Sequence, residues 1–163
     1  MNEQRVRLRA LNEESLGELL EAAVADADPL EVMLPVDGPP GWNAQRKQAF
    51  LDFHHQRSIA TTTPVETTYV IEFGGRIVGA ARLAPTGADI EAGVWIGRSH
   101  HGQGIGKAVV AELLTAAKRT GAAWFVAATT IDNLASRALL AELGADLAVK
   151  GSEVEASLDL ATR

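Results

Sequence analysis

The sequence predicts a mixed α/β domain whose central sheet is mostly antiparallel. Between residues 65 and 96, short runs rich in β-branched and aromatic residues are separated by glycine turns, a pattern typical of an antiparallel meander. A continuous apolar run at residues 123–129 follows a helical segment, which is the pattern of a buried strand in parallel pairing. Other segments carry apolar residues at helical spacing, so the whole chain predicts about seven strands and about four helices.

Composition and charge restrict the class of protein. The chain has 163 residues, of which 47% are hydrophobic, so we expect one folded domain over residues 1–163. A formal net charge of −6 argues against nucleic-acid binding and suits a cationic small substrate. No apolar run is long enough to span a bilayer, and the first residues lack the apolar core of a signal peptide. Cysteine is absent, which excludes disulfides and cysteine-ligated zinc, so we expect a cytoplasmic protein.

The N-terminal third predicts one strand and two helices. Alternation of apolar residues with arginines over residues 6–10 predicts a half-buried strand. Asn12 then caps a helix with apolar positions between residues 16 and 24, and Asn43 caps a second helix with its apolar side at residues 50–53. The proline-rich residues 26–41 between them predict a loop long enough to have a function.

Two features beside the second helix are expected to be structural. Trp42 precedes the helix and His54 and His55 end it, and we expect all three to serve surface and loop packing. Adjacent histidines point to different faces of a helix, so they do not predict a metal site, and no metal is expected.

The remaining elements follow from turn signals. We expect the odd-numbered residues of the strand at 65–73 to share one face, and Gly74 and Gly75 to form a hairpin turn. After a helix at residues 104–120, Asn133 caps a last helix and glycines end both. The predicted strands after the first hairpin turn are residues 76–83, 89–96, 123–129, 145–149 and 154–160, with a second turn at residues 85–88.

One stretch, residues 90–107, carries the functional signal. A strand passes through Gly102, Gly104 and Gly106 into a helix, an arrangement that presents backbone N–H groups to a phosphate. A P-loop would need a hydroxyl residue after Gly106-Lys107, where this chain has Ala108. A dinucleotide-binding fold would need Gly-x-Gly-x-x-Gly early in a parallel sheet, which the spacing here does not match.

The third phosphate-binding pattern fits. Residues 91–96 (Glu-Ala-Gly-Val-Trp-Ile) and 101–106 (His-Gly-Gln-Gly-Ile-Gly) resemble the acyl-coenzyme A motif of the Gcn5-related N-acetyltransferases, or GNAT family. His101 stands where that family usually has Gln or Arg. A second segment, residues 133–145, resembles the family's other coenzyme-contacting motif, most closely in the branch that acetylates ribosomal-protein N-termini and polyamines.

This resemblance implies a fold and a set of coenzyme-binding residues. The implied fold is a seven-stranded, mostly antiparallel sheet that splays between strands 4 and 5, with about four helices. The implied co-substrate is acetyl-coenzyme A. Its binding residues by match are Val94, Trp95, Ile96, His101, Gly102, Gln103, Gly104, Ile105, Gly106, Lys107, Asn133 and Ser136.

The resemblance also implies catalytic roles. Glu91 occupies the position from which family members often deprotonate the amine, with Glu66 and Glu72 as rival carboxylates. Many relatives have a tyrosine general acid where this chain has Leu140. The place of Ser136 in the second motif makes it a candidate acid; the alternative is that the thiolate leaves without a proton donor, since the thiol of coenzyme A is acidic enough to be a fair leaving group.

The resemblance implies that residues 26–41, Trp42, the second helix and the closing hairpin select the acceptor. Trp42, Glu66 and Tyr69 are the candidate substrate-binding residues. The acidic residues of the 26–41 loop are further candidates because a carboxylate attracts an ammonium group; they are Asp28, Glu31 and Asp37.

Two classes of function follow. The first is an N-acetyltransferase that acts on a primary amine of a small molecule, an antibiotic, a polyamine or a protein N-terminus. The second is a non-catalytic acyl-coenzyme A sensor. Leu140, in place of the usual tyrosine, is consistent with a sensor, whereas the candidate base Glu91 argues against one. An RNA-directed acetyltransferase is disfavoured by the acidic charge, and a homodimer is expected because relatives often dimerise.

Overall fold

The computed structural model describes residues 5–59 and 65–161. Its strands form one seven-stranded sheet in the order β1-β2-β3-β4-β5-β7-β6. The pairing of β4 with β5 is parallel and the others are antiparallel, so the predicted mixed fold is confirmed. The strands are β1 (Val6–Ala10), β2 (Thr67–Phe73), β3 (Arg76–Thr86), β4 (Asp89–Ile96), β5 (Trp124–Thr130), β6 (Asp146–Lys150) and β7 (Glu153–Asp159).

Five α-helices occur in the described ranges, four of them at the predicted places. They are α1 (Glu13–Asp26), α2 (Pro29–Val32), α3 (Ala44–His54), α4 (Ile105–Arg119) and α5 (Leu134–Glu142). A π-helical turn, His55–Ile59, follows α3, and a 3-10 turn, Arg98–His100, precedes α4. None of the helices in the described part of the chain has the length and hydrophobicity that crossing a membrane requires.

The short helix α2 corrects the prediction of an uninterrupted loop at residues 26–41. Asp28 accepts a hydrogen bond from the Leu30 N–H at 2.9 Å, and Glu31 accepts one from the Asp28 N–H at 2.8 Å. This reciprocal capping, together with Pro29 at the first helical position, stabilises the helix. With four residues, α2 is too short to show a hydrophobic periodicity in the sequence.

The chain forms two compact units. The first takes in the chain up to Arg82 together with Val94–Val110, and the second takes in Leu83–Gly93 together with the chain from Ala111 onward.

In the first unit, α1 and α3 cover one face of the sheet. Asn12 caps α1, as predicted, by accepting a hydrogen bond from the Ser15 N–H at 2.9 Å. One hydrophobic cluster joins Leu19 of α1, Phe50 of α3 and Val70 of β2, and each of these side chains is fully buried. Such burial stabilises the fold by about 1.5–3 kcal/mol per side chain.

On β2, the even-numbered residues Thr68 and Val70 are buried, and Val70 belongs to the cluster with α1 and α3. One prediction for this unit was wrong. His54 was expected to lie at the surface, but only 4% of it is exposed. It follows Phe50 by one helical turn and therefore shares that residue's buried face.

The second unit contains the parallel pair and the C-terminal hairpin. β5 is parallel to β4 over a ladder from Asp89↔Trp124 to Ala92↔Ala127 and antiparallel to β7. The ladder to β4 stops there although both strands continue, and beyond it Ala128 and Thr130 are exposed. The expectation of a fully buried β5 was therefore wrong, since only Phe125 is fully covered.

Candidate acyl-transfer site

The backbone at the C-terminal end of β4 is in direct contact with the backbone of β3. The Gly97 N–H donates a hydrogen bond to the Val78 carbonyl at 2.8 Å. A Cβ atom at Gly79 would lie 2.1 Å from the Trp95 carbonyl oxygen, so only glycine allows this approach. The backbone at Trp95 and Ile96 is thus fixed by β3.

The glycine loop has the backbone that its sequence requires. Gly102 and Gly104 have φ angles of +77° and +80°, in the left-handed region that favours glycine. No heavy atom lies within 4 Å of an ideal Cβ at either position, so conformation and not crowding selects glycine there.

The start of α4 presents backbone N–H donors of the kind that an anion binds. The first i→i−4 hydrogen bond of α4 runs from the Ala108 N–H to the Gly104 carbonyl at 3.3 Å. The N–H groups of Ile105 and Gly106 lie before this bond, and the first N–H groups of any helix have no partner within the helix. The helix dipole also favours an anion at this point. Gln103 and Lys107 flank these donors and are exposed.

His101 joins the loop to the end of β4. Its ring Nε2 lies 2.7 Å from the Ile96 carbonyl oxygen. A carbonyl only accepts, so Nε2 carries the proton and donates. The residue that departs from the family pattern therefore makes a local contact that positions the loop.

The three candidate carboxylates have different surroundings. Glu91 is half-buried on β4, opposite Val126 of β5 and one residue before the parallel ladder ends. The Glu66 side chain is fully buried and accepts from Arg57 at 3.0 Å, with Arg82 at 3.7 Å. These guanidinium groups compete with any substrate ammonium for Glu66.

The remaining candidates of the first unit make structural contacts. Glu72 pairs with Arg9 at 2.8 Å. The Trp42 ring N–H donates to the Ala27 carbonyl at 2.9 Å, and Tyr69 is half-buried on β2 opposite Ala10.

The second coenzyme motif begins at a helix cap. Asn133 Oδ1 accepts a hydrogen bond from the Ser136 N–H at 3.1 Å, which caps α5 as predicted and leaves the Asn133 amide NH₂ as a donor. Ser136 is half-buried. Leu140 is 7% exposed, so the position where relatives have a tyrosine is a core position here.

Two of the three loop carboxylates are engaged within the first unit. Asp28 caps α2, and Glu31 also accepts from Arg98 Nη2 at 3.1 Å. Asp37 is exposed. In the described ranges no group of three or more histidine and acidic side chains is arranged to hold a metal ion.

Sequence reasoning missed Asp26, the last residue of α1. Its carboxylate accepts from both the N–H and the hydroxyl of Ser99, 73 residues away in the chain. No local pattern signals a contact over that separation, because it is made by tertiary packing alone.

Solved structures of acetyltransferases have the same fold. The chain is 19% identical to an N-acetyltransferase from Staphylococcus aureus Mu50, with a TM-score of 0.67 over 96% of this chain and 99% of that one. It is 20% identical to RimL, a ribosomal L7/L12 alpha-N-protein acetyltransferase solved with coenzyme A, with a TM-score of 0.67 over 94% and 93% of the two chains. It is 14% identical to the spermidine/spermine N-acetyltransferase SpeG from Vibrio cholerae, with a TM-score of 0.69 over 96% and 95%.

The family follows from the sequence match. Residues 5–146 match the family model described as an acetyltransferase (GNAT) domain. The chain therefore belongs to the GNAT acetyltransferase family, and its class of activity is N-acetyl transfer. Among curated protein sequences, none matches this chain.

Proposed function

We propose that this protein transfers the acetyl group of acetyl-coenzyme A to the primary amine of a small molecule or a peptide. The observation that carries the proposal is the glycine loop, in which Gly102 and Gly104 take left-handed conformations directly before the first N–H groups of α4. A diphosphate is the part of the coenzyme that such donors suit.

The other coenzyme contacts are assigned by motif and supported by chemistry. By the family resemblance, backbone groups of Val94 and Ile96 hydrogen-bond to the pantetheine arm as an added strand would. The amide NH₂ of Asn133 is a donor that suits a pantetheine carbonyl. In this proposal the residues of the glycine loop, His101 to Lys107, surround the diphosphate.

Glu91 is the proposed general base. It takes a proton from the ammonium group of the acceptor, directly or through water, and the amine nitrogen then attacks the thioester carbonyl carbon. Backbone N–H groups near Trp95 stabilise the oxyanion, and the C–S bond breaks as the tetrahedral carbon collapses. Ser136 is the proposed proton donor to the departing thiolate, and the second proton that the nitrogen loses as the amide forms restores the Ser136 hydroxyl, directly or through water.

The acceptor is proposed to be cationic. The chain has a formal net charge of −6, which favours approach of a polyamine or a basic peptide N-terminus. RimL is described as an acetyltransferase of a ribosomal protein and SpeG as one of spermidine and spermine, so both acceptor types occur on this fold. A SpeG structure is dodecameric, and we propose self-association here as well, at least to a homodimer.

A panel of amines tests the proposal. Thiol release from acetyl-coenzyme A should depend on one class of amine among spermidine, basic peptides, aminoglycosides and amino acids. Tight coenzyme A binding with no thiol release across the panel would instead support the non-catalytic sensor, which the buried Leu140 in place of a tyrosine favours.

Two substitutions test the residues. Glu91→Gln should lower kcat strongly and keep coenzyme affinity, because it removes the base and preserves shape; an unchanged rate would remove Glu91 from the mechanism. Glu72→Gln is the matched control, since Glu72 is a sheet carboxylate already paired with Arg9. Gly104→Val should weaken coenzyme binding because a branched side chain is strained at a φ of +80°.

A further inference from the structure

The 3-10 turn between β4 and the glycine loop is held by the last residue of α1. The Ser99 N–H lies 3.0 Å from Asp26 Oδ1 and 3.2 Å from Oδ2. The Ser99 hydroxyl donates to Oδ2 at 2.6 Å. One carboxylate thus accepts from both the backbone and the side chain of the residue at the centre of the turn.

The approach of Asp26 depends on the absence of a side chain at Gly97. An ideal Cβ at Gly97 would lie 2.3 Å from Asp26 Oδ2, well inside van der Waals contact. Gly97 is also fixed on its other side by its N–H bond to the Val78 carbonyl. Its φ angle is −55°, so close contact and not backbone conformation requires glycine here.

Neighbouring contacts carry the restraint into the glycine loop. Gln103 Nε2 donates to the Ser99 carbonyl at 3.4 Å, and His101 is bonded to the Ile96 carbonyl. Arg98 pairs with Glu31 of α2. The Ser99 hydroxyl bond holds the pKa of Asp26 below its ordinary value, with smaller contributions from the Ser99 N–H and from His100 and His101.

We propose that Asp26 is a positioning residue for the coenzyme, because it fixes Ser99 and through it the loop that presents N–H groups to the diphosphate. The inference rests on the proposed function of that loop. A loop ordered before binding loses less conformational entropy when the diphosphate binds, so the affinity is higher. Asp26 is not a catalytic residue in this account, since it acts through Ser99.

The test compares two acetyl donors. Acetyl-pantetheine has the thioester and lacks the diphosphate and the nucleotide, so it does not use the glycine loop. In Asp26→Ala, the Kd for coenzyme A by calorimetry and the KM for acetyl-coenzyme A should rise about tenfold, roughly the effect of a lost charge-assisted hydrogen bond. The kcat/KM for acetyl-pantetheine should stay within about twofold of the parent value.

Matched variants separate positioning from stability. Asp52→Ala also removes a carboxylate and a hydrogen bond, the one to Gln48 on an exposed face of α3. It should leave the kcat/KM values for acetyl-coenzyme A and acetyl-pantetheine unchanged. Ser99→Ala removes only the hydroxyl and should weaken coenzyme A about threefold, while Ser99→Thr should restore the affinity.

The outcomes distinguish the two proposals. Unchanged coenzyme A affinity in Asp26→Ala overturns the positioning role, and so does an equal loss with both donors. If Asp26→Ala does not fold, Ser99→Ala decides in the same way. If the parent enzyme itself makes no use of the diphosphate, with equal kcat/KM for both donors, the loop assignment fails instead.

Discussion

Lowering the pH should destabilise this protein through one buried histidine. His54 packs edge-on against Phe50, with ring centroids 4.8 Å apart, and against Phe53 at 5.2 Å. Neither ring nitrogen has a hydrogen-bond partner in the described ranges. Burial lowers the pKa of His54 from 6.5 to about 4, partly offset by the negative charge of Glu66.

The sign and size of the effect follow from linkage. The folded state holds His54 neutral at a pH where the unfolded state protonates it, so the unfolded state binds more protons and stability decreases as the pH is lowered. The loss begins near pH 6.5, the unfolded pKa, and is complete below about pH 4. It amounts to about 2 kcal/mol at pH 5 and about 3 kcal/mol at pH 4.

Urea unfolding as a function of pH measures this loss. Other groups also titrate in this range, so the quantity to compare is the difference between the parent and His54→Leu, which keeps a buried side chain of similar size and cannot be protonated. The free energy of unfolding of the parent should fall faster than that of the variant between pH 7 and pH 4. His55→Gln should keep the parent's steep loss because His54 remains. Parallel curves for the parent and His54→Leu, or an NMR titration of His54 near pH 6.5, would refute the reasoning.

Three substitutions at other positions test single contacts. Gly79→Ala should lower the free energy of unfolding by at least about 2 kcal/mol, because its Cβ meets a backbone oxygen of β4, and a urea midpoint like the parent's would contradict that contact. Glu66→Gln should cost about 2 kcal/mol, less than a fully buried pair because its arginine partners are about one-third exposed. Glu72→Gln should cost less, about 0.5–1 kcal/mol, because the Glu72 side chain is 19% exposed whereas that of Glu66 is fully buried, and equal losses would refute the difference in burial. Asn133→Ala should cost about 1 kcal/mol in thermal unfolding, and Asn133→Ser should restore most of it if the cap is the cause.

Local signals predicted much of the fold. Asn12, Asn43 and Asn133 were expected to cap helices and do so by accepting backbone hydrogen bonds within the next turn. The hairpin at Gly74 and Gly75 has the positive φ angles that its turn requires. These features depend on residues close together in the chain, and the sequence therefore contains them directly.

Burial was predicted less well because it depends on which elements cover a strand or helix. β5 reads as a continuous apolar run, yet its even-numbered residues 124, 128 and 130 are exposed. The C-terminal hairpin was predicted, but not that β7 lies between β5 and β6. Strand order depends on which distant strands pair with each other, and short apolar runs do not show which pairs form.

The candidate site divides in the same way. The sequence by itself determined the glycine loop, since Gly102 and Gly104 are the residues that a left-handed backbone favours, and it determined the family through two motifs in the right order. Only the tertiary structure decided which side chains are available for chemistry: it pairs Glu66 with arginines and places Asp26 on Ser99. Side-chain type and spacing specify local backbone geometry, whereas charge partners and burial are set by contacts between residues far apart in the chain.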